Sequence, residues 1–101
     1  LPAEVERMLE SHPLISEAVV VPVPDDIKQK LPVAFVTLRD GESLSEDAVK
    51  QWTIARGPAY QHPRHVFFVP AIPLAGTNKI DRNGLTKQAA ELTAERKPSR
   101  S

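Results

Sequence analysis

The chain has 101 residues, of which 13 are basic and 13 acidic, so its formal net charge is zero, and it contains no cysteine. This length predicts one small domain with a single core. The balanced charge argues against nucleic-acid and membrane-surface partners, which both require a basic excess, and the lack of cysteine excludes disulfides and thiolate metal sites. No apolar run approaches the ~20 residues that span a bilayer, so we expect a soluble, cytoplasmic domain.

The first half of the chain predicts one helix and two strands. Residues at helical spacing predict a helix over 2–12, followed by a proline that ends it: Val5, Met8, Leu9, His12 and Pro13. Ile15–Val21 and Val33–Leu38 are rich in β-branched residues and are expected to pair antiparallel across a polar connection at Asp25–Leu31.

The second half predicts a helix, a strand and a final helix. Ser45 is a typical helix cap, and the spacing gives the helix an inward face: Val49, Trp52, and Ala55 or Arg56. Val66–Val69 reads as a third strand, and the order strand, helix, strand favours a right-handed crossover and a parallel pair.

Asp81 is positioned to cap the last helix, whose apolar positions recur at helical spacing: Leu85, Ala89 and Leu92. The tail Lys97–Ser101 is polar, and its neighbour Arg96 is expected to be solvated with it. The elements together predict an α+β fold, with a small mixed three-stranded β-sheet and helices packed on it.

The segment most suggestive of chemistry is a small-polar loop that ends in Lys79, just before the last helix. A lysine there can reach a phosphate or a carboxylate in a neighbouring domain. Spacing alone favours a solvated loop lysine, since neither GxGxxG nor GxxxxGK[ST] is present. The three histidines, His12, His62 and His65, lack the spacing and carboxylate neighbours of a metal site, so none is predicted.

Five segments follow one another in an order that is typical of a known family. They are Pro2-Ala3-Glu4-Val5-Glu6, His12-Pro13 with Glu17-Ala18-Val19-Val20, Pro32-Val33-Ala34-Phe35-Val36, Pro63 with Val66-Phe67-Phe68-Val69, and Pro73-Leu74-Ala75-Gly76-Thr77-Asn78-Lys79-Ile80-Asp81-Arg82. The chain resembles the C-terminal lid domain of the adenylate-forming superfamily, which includes acyl-CoA synthetases, peptide-synthetase adenylation domains and luciferases. The last segment is similar to the family's catalytic-lysine motif, P-L-[TS]-x-x-G-K-I-x-R.

Two positions depart from the family pattern. Asn78 stands where the family usually has glycine, although asparagine also tolerates the left-handed conformation. Gln29-Lys30 replaces a glycine–glutamate pair before Pro32. The hinge that precedes P-x-E-V-E in the family and its large N-terminal domain are not in this sequence. We therefore expect residues 1–96 to be a lid domain cut from a longer enzyme, followed by a polar tail at 97–101.

The resemblance implies a two-step reaction in which the lid changes orientation between steps. A carboxylic acid attacks ATP, with Mg2+, to give acyl-AMP, and the thiol of coenzyme A then displaces AMP. Lys79 would be the catalytic residue of the first step, in a nucleotide-contacting loop that includes Gly76, Thr77 and Asn78. The implied partners are the enzyme's own N-terminal domain and the acid, and the isolated domain is expected to be inactive.

No carrier-protein sequence follows residue 101, which favours a freestanding acyl- or aryl-CoA ligase, with a place in fatty acid metabolism. Two alternatives remain at this stage: an adenylation domain of a peptide-synthetase-type enzyme, and a non-catalytic interaction module that kept the lid fold. A phosphate loop several hundred residues upstream would separate a ligase from an interaction module. The acid itself is not specified, because in the family its pocket lies in the other domain.

Overall fold

A computed structural model describes residues 2–25 and 29–97, apart from the side chain of Tyr60. The elements in chain order are α1 (Pro2–Glu10), β1 (Ile15–Pro24), β2 (Lys30–Leu38), α2 (Glu46–Arg56), a short 3-10 helix (Ala59–Gln61), β3 (His65–Phe68) and α3 (Arg82–Arg96). The three strands form one sheet in the order β1-β2-β3, with β1 antiparallel and β3 parallel to β2. The predicted α+β fold and its mixed sheet are confirmed.

The β1–β2 hairpin is longer than the sequence indicates. Pairing continues to Pro24 opposite Lys30, and the Asp25 amide donates to the carbonyl of Gln29 at 2.7 Å. Both ends of the predicted connection at Asp25–Leu31 therefore belong to the hairpin, since Leu31 pairs with Val23 and Asp25 is bonded to Gln29. The middle of the connection, 26–28, lies outside the described residues. Prolines fit at this end because β1 is an edge strand.

Both faces of the sheet are covered by helices. On one face, Val5 and Leu9 of α1 and Val49 of α2 belong to one buried cluster with residues of all three strands. On the other, Leu85 and Ala89 of α3 belong to a second buried cluster. Strands that are buried on both sides need apolar residues at consecutive positions, which explains the unbroken run at the centre of β1.

Helix carboxylates occupy both open edges of the sheet. Along the outer edge of β1, Glu6 accepts a hydrogen bond from the Val20 amide at 2.8 Å, and Glu10 accepts one from the Ala18 amide at 3.1 Å. Along the outer edge of β3, Glu46 accepts from the Val66 amide at 2.8 Å. Each bond satisfies a donor that would otherwise invite pairing with another chain.

The two predicted helix caps are present. The Ser45 hydroxyl accepts from the Ala48 amide at 3.0 Å, and the Asp81 carboxylate accepts from the Gly84 amide at 3.0 Å. Each cap satisfies one of the amide donors that a helix start leaves without an intrahelical partner. Ala89 and Leu85 of α3 are buried as predicted, and Leu92 is partly buried.

Trp52 is not the core residue that the helical spacing predicts. The buried face of α2 is formed by Val49 and Thr53, and the Trp52 side chain is only partly buried. Thr53 can be buried because its hydroxyl donates to the carbonyl of Lys50 at 2.8 Å. Trp52 instead packs on His12, with ring centroids 4.5 Å apart, and carries the Arg56 guanidinium 3.0 Å above its ring.

Two boundaries also differ from the sequence prediction. α1 ends at Glu10, so His12 lies in the turn after the helix. β3 begins at His65 and ends at Phe68, one residue earlier than predicted, although the Val69 amide still donates to Val36 at 3.0 Å. No helix within residues 2–25 and 29–97 is long and apolar enough to cross a bilayer.

Candidate functional site

Residues 73–81 form a small hairpin that leads directly into α3. The Asp81 amide donates to the carbonyl of Pro73 at 3.0 Å, Leu74 pairs with Ile80 in an antiparallel bridge, and the Ala75 amide donates to the carbonyl of Lys79 at 2.6 Å. The segment that the sequence presents as an irregular polar loop thus has a regular backbone. Its rungs fix where residue 79 lies relative to the start of α3.

Asn78 makes this tight turn possible. Its amide donates to the carbonyl of Ala75 at 3.1 Å, and its φ of 61° is the one left-handed value at a non-glycine residue in the described part of the chain. A turn followed by a left-handed residue is a common way to close a three-residue hairpin loop. Asparagine adopts this conformation more readily than most residues, so Asn78 can replace a glycine here, as expected.

Gly76 and Thr77 lie at the tip of the hairpin and are exposed. A side chain at Gly76 would meet no atom within 4 Å, so the hairpin itself does not require glycine there. The predicted site residues Gly76, Thr77, Asn78 and Lys79 are therefore brought together on one turn. This grouping follows from their adjacency in sequence.

Lys79 lies at the base of the turn and is exposed. Its ammonium forms no hydrogen bond or ion pair with any of the described residues. Beside it, the side chains of Leu74 and Ile80 are 57% and 37% exposed, which is high for large apolar groups. The hairpin thus presents one compact cation and two exposed apolar side chains.

A cleft of about 240 Å³ lies at the opposite end of the domain, where Arg64, His65 and Arg96 meet the end of β1. Arg96 is the last residue of the 15-residue α3, whereas Lys79 precedes its first turn. At 1.5 Å per residue, α3 separates the two places by about 20 Å. The cleft therefore does not contribute to a site around Lys79.

Arg96 is exposed, as the sequence predicts, but it also has partners within the domain. Its guanidinium lies 2.8 Å from the Glu46 carboxylate and 3.1 Å from Nδ1 of His65, and it covers the Phe67 ring at 4.4 Å. The tail beyond Lys97 lies outside the described residues.

The Glu46 carboxyl is strongly partnered. Burial alone would raise its pKa, but the hydrogen bonds from Arg96 and the Val66 amide, with the charge of Lys50, hold that pKa below its ordinary value. Burial, and then the charge of Arg96, lowers the pKa of His65. Because arginine can only donate, Nδ1 of His65 is an acceptor here and carries no proton.

His12 is also neutral in this structure. Its Nδ1 accepts the Leu14 amide at 3.0 Å, so that nitrogen carries no proton. Burial against Trp52, and then the charge of Arg56, lowers its pKa. Within residues 2–25 and 29–97, no three histidine or acidic side chains are close enough together to hold a metal ion.

The sequence reasoning missed two residues that hold the base of the hairpin, Glu6 and Arg82, which form an ion pair between α1 and the start of α3. The available signal was their position inside two of the segments that carry the family resemblance. Each residue was considered only as part of a family motif. Because the two are 76 residues apart in sequence, no local pattern indicated that their side chains are in contact.

Comparison with known proteins places these features in a family. The profile of the AMP-binding enzyme C-terminal domain matches residues 4–79, from α1 to the lysine of the hairpin. The chain belongs to this family. It is 43% identical over 94 residues to 4-coumarate–CoA ligase 5 of Oryza sativa subsp. japonica, a match that covers 92% of this chain and 17% of the rice protein.

Solved structures agree with the assignment. A fatty acyl CoA synthetase of Mycobacterium tuberculosis superposes with a TM-score of 0.79 at 31% identity, over 90% of this chain and 18% of that one. ATP-bound MatB from Rhodopseudomonas palustris superposes with a TM-score of 0.83 at 22% identity, again over 90% and 18%, which supports the fold. The chain thus spans about a sixth of the length of the curated relatives it matches.

Proposed function

We propose that residues 1–96 are the C-terminal lid domain of an AMP-forming acyl- or aryl-CoA ligase and that residues 97–101 are a tail. In this proposal the domain supplies the lysine that the enzyme uses for adenylation. In the first step, a carboxylate oxygen attacks the α-phosphate of ATP, and acyl-AMP forms with release of pyrophosphate. In the second, the sulfur of coenzyme A attacks the acyl carbon, the bond to AMP breaks and the thiol proton leaves to solvent. The remainder of the relatives' length corresponds to the larger partner domain.

The observation that carries this proposal is the state of Lys79. Its ammonium is exposed and makes no bond to the described residues, yet its backbone carbonyl accepts a hydrogen bond in a regular hairpin. A lysine used for stability would be paired or would cover apolar surface. An exposed, hydrated ammonium without a partner among the described residues can bind a ligand that another domain supplies, and the hairpin fixes the backbone from which it extends.

The chemistry suits a compact cation. Negative charge accumulates between the attacking carboxylate and the α-phosphate as the new bond forms. A positioned ammonium stabilises that charge more in the transition state than in the ground state, which raises the rate. The exposed side chains of Leu74 and Ile80 would pack against the partner domain once the hairpin enters it.

ATP and the acid are expected to bind mainly to the larger domain, together with Mg2+. The described residues bring no metal-binding cluster together, so no step on this chain is assigned to the ion. The acid is expected to be aromatic, because the curated relatives are named for 4-coumarate, and this proposal replaces the earlier expectation of fatty acid metabolism. Coenzyme A is the proposed acceptor of the acyl group, because the same relatives are named as CoA ligases.

The decisive experiment uses the full-length polypeptide that carries this chain, assayed in two separate half-reactions. Lys79→Ala should lower ATP–pyrophosphate exchange with 4-coumarate about a hundredfold or more, since loss of one transition-state donor typically costs that much. Release of AMP from supplied acyl-AMP by coenzyme A should stay within about twofold, because the lid has then changed orientation. Lys87→Ala is the matched control, since Lys87 is an exposed lysine of α3 and should tolerate the change.

Three results would contradict the proposal. They are equal loss of both half-reactions in Lys79→Ala, no loss in either, and an upstream sequence without a nucleotide-binding domain. The last result would favour a non-catalytic module. The 101-residue chain alone should unfold cooperatively and show no exchange, because it carries a single isolated cation of the site.

A further inference from the structure

Arg82 is the first residue of α3 and lies three positions after Lys79. Its guanidinium meets Glu6 of α1 through two bonds, Nη1 to Oε2 at 3.0 Å and Nη2 to Oε1 at 3.3 Å. Nη1 also donates to the carbonyl of Val20 on β1 at 3.3 Å. A two-pronged contact of this kind fixes orientation as well as distance, which a single bond would not.

Glu6 is itself held in place. Its Oε2 accepts the Val20 amide at 2.8 Å, and its side chain is only 14% exposed, against 49% for Arg82. One carboxylate therefore joins the middle of α1, the edge of β1 and the first turn of α3. Movement of Arg82 relative to the sheet would break bonds to both Glu6 and Val20.

The hairpin has few other attachments. Its rungs join residues of the hairpin to one another, and within the described part of the chain no side chain of residues 74–80 forms a hydrogen bond or an ion pair. The direction in which Lys79 points thus depends on the two ends of the hairpin, where Ile72 and Leu85 are buried in the second cluster. The ion pair of Arg82 with Glu6 adds a polar side-chain contact that joins the start of α3 to α1.

We propose that Glu6 and Arg82 act as a positioning pair that fixes the direction in which the hairpin presents Lys79 for adenylation. The inference rests on the proposed role of Lys79 and adds to it. A displacement of about 1 Å in a reacting group can cost about a hundredfold in rate, so a junction that tilts slightly would be enough to impair the step. Neither residue touches substrate in this proposal, and both act through Lys79.

The same helix offers a matched control at its other end. Arg96 pairs with Glu46, and Glu46 accepts a β-strand amide at 2.8 Å, as Glu6 does. The Glu46–Arg96 pair is also a partly exposed carboxylate–arginine pair, in which one nitrogen of Arg96 meets both oxygens, and it lies about 21 Å further along α3, at 1.5 Å per residue. It should affect stability without affecting the hairpin.

The test measures ATP–pyrophosphate exchange and acyl-AMP thiolysis in the full-length polypeptide. Arg82→Gln and Glu6→Gln should each lower exchange at saturating substrates about tenfold, a smaller loss than removal of the lysine itself. Glutamine at position 6 keeps an acceptor for the Val20 amide, so the variant removes mainly the charge. The double variant should be no worse than either single one, and thiolysis should stay within about twofold in all three.

Epistasis with Lys79 separates positioning from a general structural role. If Arg82 acts through the lysine, Arg82→Gln should not lower the residual exchange of Lys79→Ala any further. Arg82→Lys should recover part of the exchange because it keeps the charge but not the two-pronged contact. Arg96→Gln should lower the melting temperature by a similar amount and leave exchange unchanged.

Each outcome bears on one proposal. If Lys79→Ala is active in exchange, the proposed function is wrong and the positioning role falls with it. If Lys79→Ala is inactive but Arg82→Gln retains full exchange, only the positioning role is overturned. It is also overturned if Arg82→Gln slows thiolysis as much as exchange, or if it lowers exchange further in the Lys79→Ala background. An equal loss of exchange in Arg96→Gln would overturn it as well.

Discussion

Glu6 and Glu46 lie at opposite edges of one sheet and make the same pair of contacts. Each accepts the amide of an edge strand at 2.8 Å, and each forms an ion pair with one end of α3. In this way α1 and α2, which cover one face of the sheet, are joined around its two edges to α3, which covers the other face. Both edges of the three-stranded sheet are thereby covered without additional strands.

The Glu46–Arg96 contact predicts that the domain loses part of its stability at acid pH. The pKa of Glu46 is lower in the folded chain, so its stabilising effect is complete above its ordinary pKa near 4.5 and disappears as the pH falls through the lower, folded value. Glu46→Gln should cost at most about 1 kcal/mol at pH 7, since the pair is partly exposed. That corresponds to a melting temperature lower by up to about 4–8 °C.

Thermal unfolding of the chain and of Glu46→Gln between pH 7 and pH 2.5 checks this prediction. The two melting temperatures should converge at the acid end, because the wild-type carboxylate is then protonated as well. A difference that stays constant down to pH 2.5 would contradict it, since the loss would then come from packing. Asp47→Asn, at an exposed neighbouring carboxylate, provides a comparison.

The two neutral histidines predict a second pH effect at milder acidity. The pKa values of His12 and His65 are lowered in the folded chain, whereas the unfolded chain binds these protons near pH 6.5. The unfolded state therefore takes up more protons, and stability should fall as the pH drops below about 6.5. Carboxylates contribute little between pH 7 and pH 5.5, so this window isolates the histidines.

His12→Asn tests the assignment because an amide oxygen can accept the Leu14 amide without titrating. The melting temperature of this variant should depend less on pH between 7 and 5.5 than that of the wild type. His65→Asn should act in the same direction, and the double variant should be flattest. A melting temperature that rises on acidification over this range would contradict the prediction, because protonation of the histidines would then stabilise the folded domain.

The sequence was sufficient for the order and pairing of the strands because their boundaries carry local signals and the order strand, helix, strand favours a parallel pair. Proline and glycine mark the boundaries, and a cap such as Asp81 acts on an amide three residues away. The hairpin conformation was also accessible in part, since asparagine at position 78 already indicates a left-handed residue. The candidate lysine came from the family motif, because its spacing alone does not distinguish it from a solvated residue.

The errors concern contacts between distant parts of the chain. Helical spacing could not show that Trp52 has a surface partner in His12, 40 residues earlier, or that Thr53 satisfies its own hydroxyl inside the helix. Arg96 looked like part of a solvated tail because Glu46 is 50 residues away in sequence. Such pairings depend on how α2 and α3 lie against the sheet, which no local pattern encodes.

The left-handed conformation of Asn78 predicts a clear ranking of substitutions. Asn78→Gly should preserve the hairpin, since glycine adopts positive φ without a steric cost. Asn78→Val should strain the turn by about 1–2 kcal/mol, which would reduce adenylation by about tenfold if it displaces Lys79. Exchange assays on the full-length polypeptide check this, and equal rates for the two variants would contradict a role for the turn geometry.

The exposed apolar residues of the hairpin, Leu74 and Ile80, predict a loss of adenylation without a loss of folding. Leu74 is 57% exposed, so Leu74→Ser should change the stability of the 101-residue chain by no more than about 0.5 kcal/mol. If the hairpin enters the larger domain during adenylation, the same change leaves a polar group against the partner and should slow ATP–pyrophosphate exchange several-fold. Thiolysis of supplied acyl-AMP should be unaffected, because the hairpin has then left that site.

Ile54 of α2 is the matched control, since it is also a large apolar residue and is 53% exposed. Ile54→Ser removes a comparable exposed side chain far from Lys79 in sequence, so it should leave exchange at the wild-type rate. Ile80→Ser should resemble Leu74→Ser, because the two residues pair across the hairpin. If Leu74→Ser and Ile54→Ser lower exchange equally, or if neither does, the exposed apolar residues of the hairpin have no part in seating it against the larger domain.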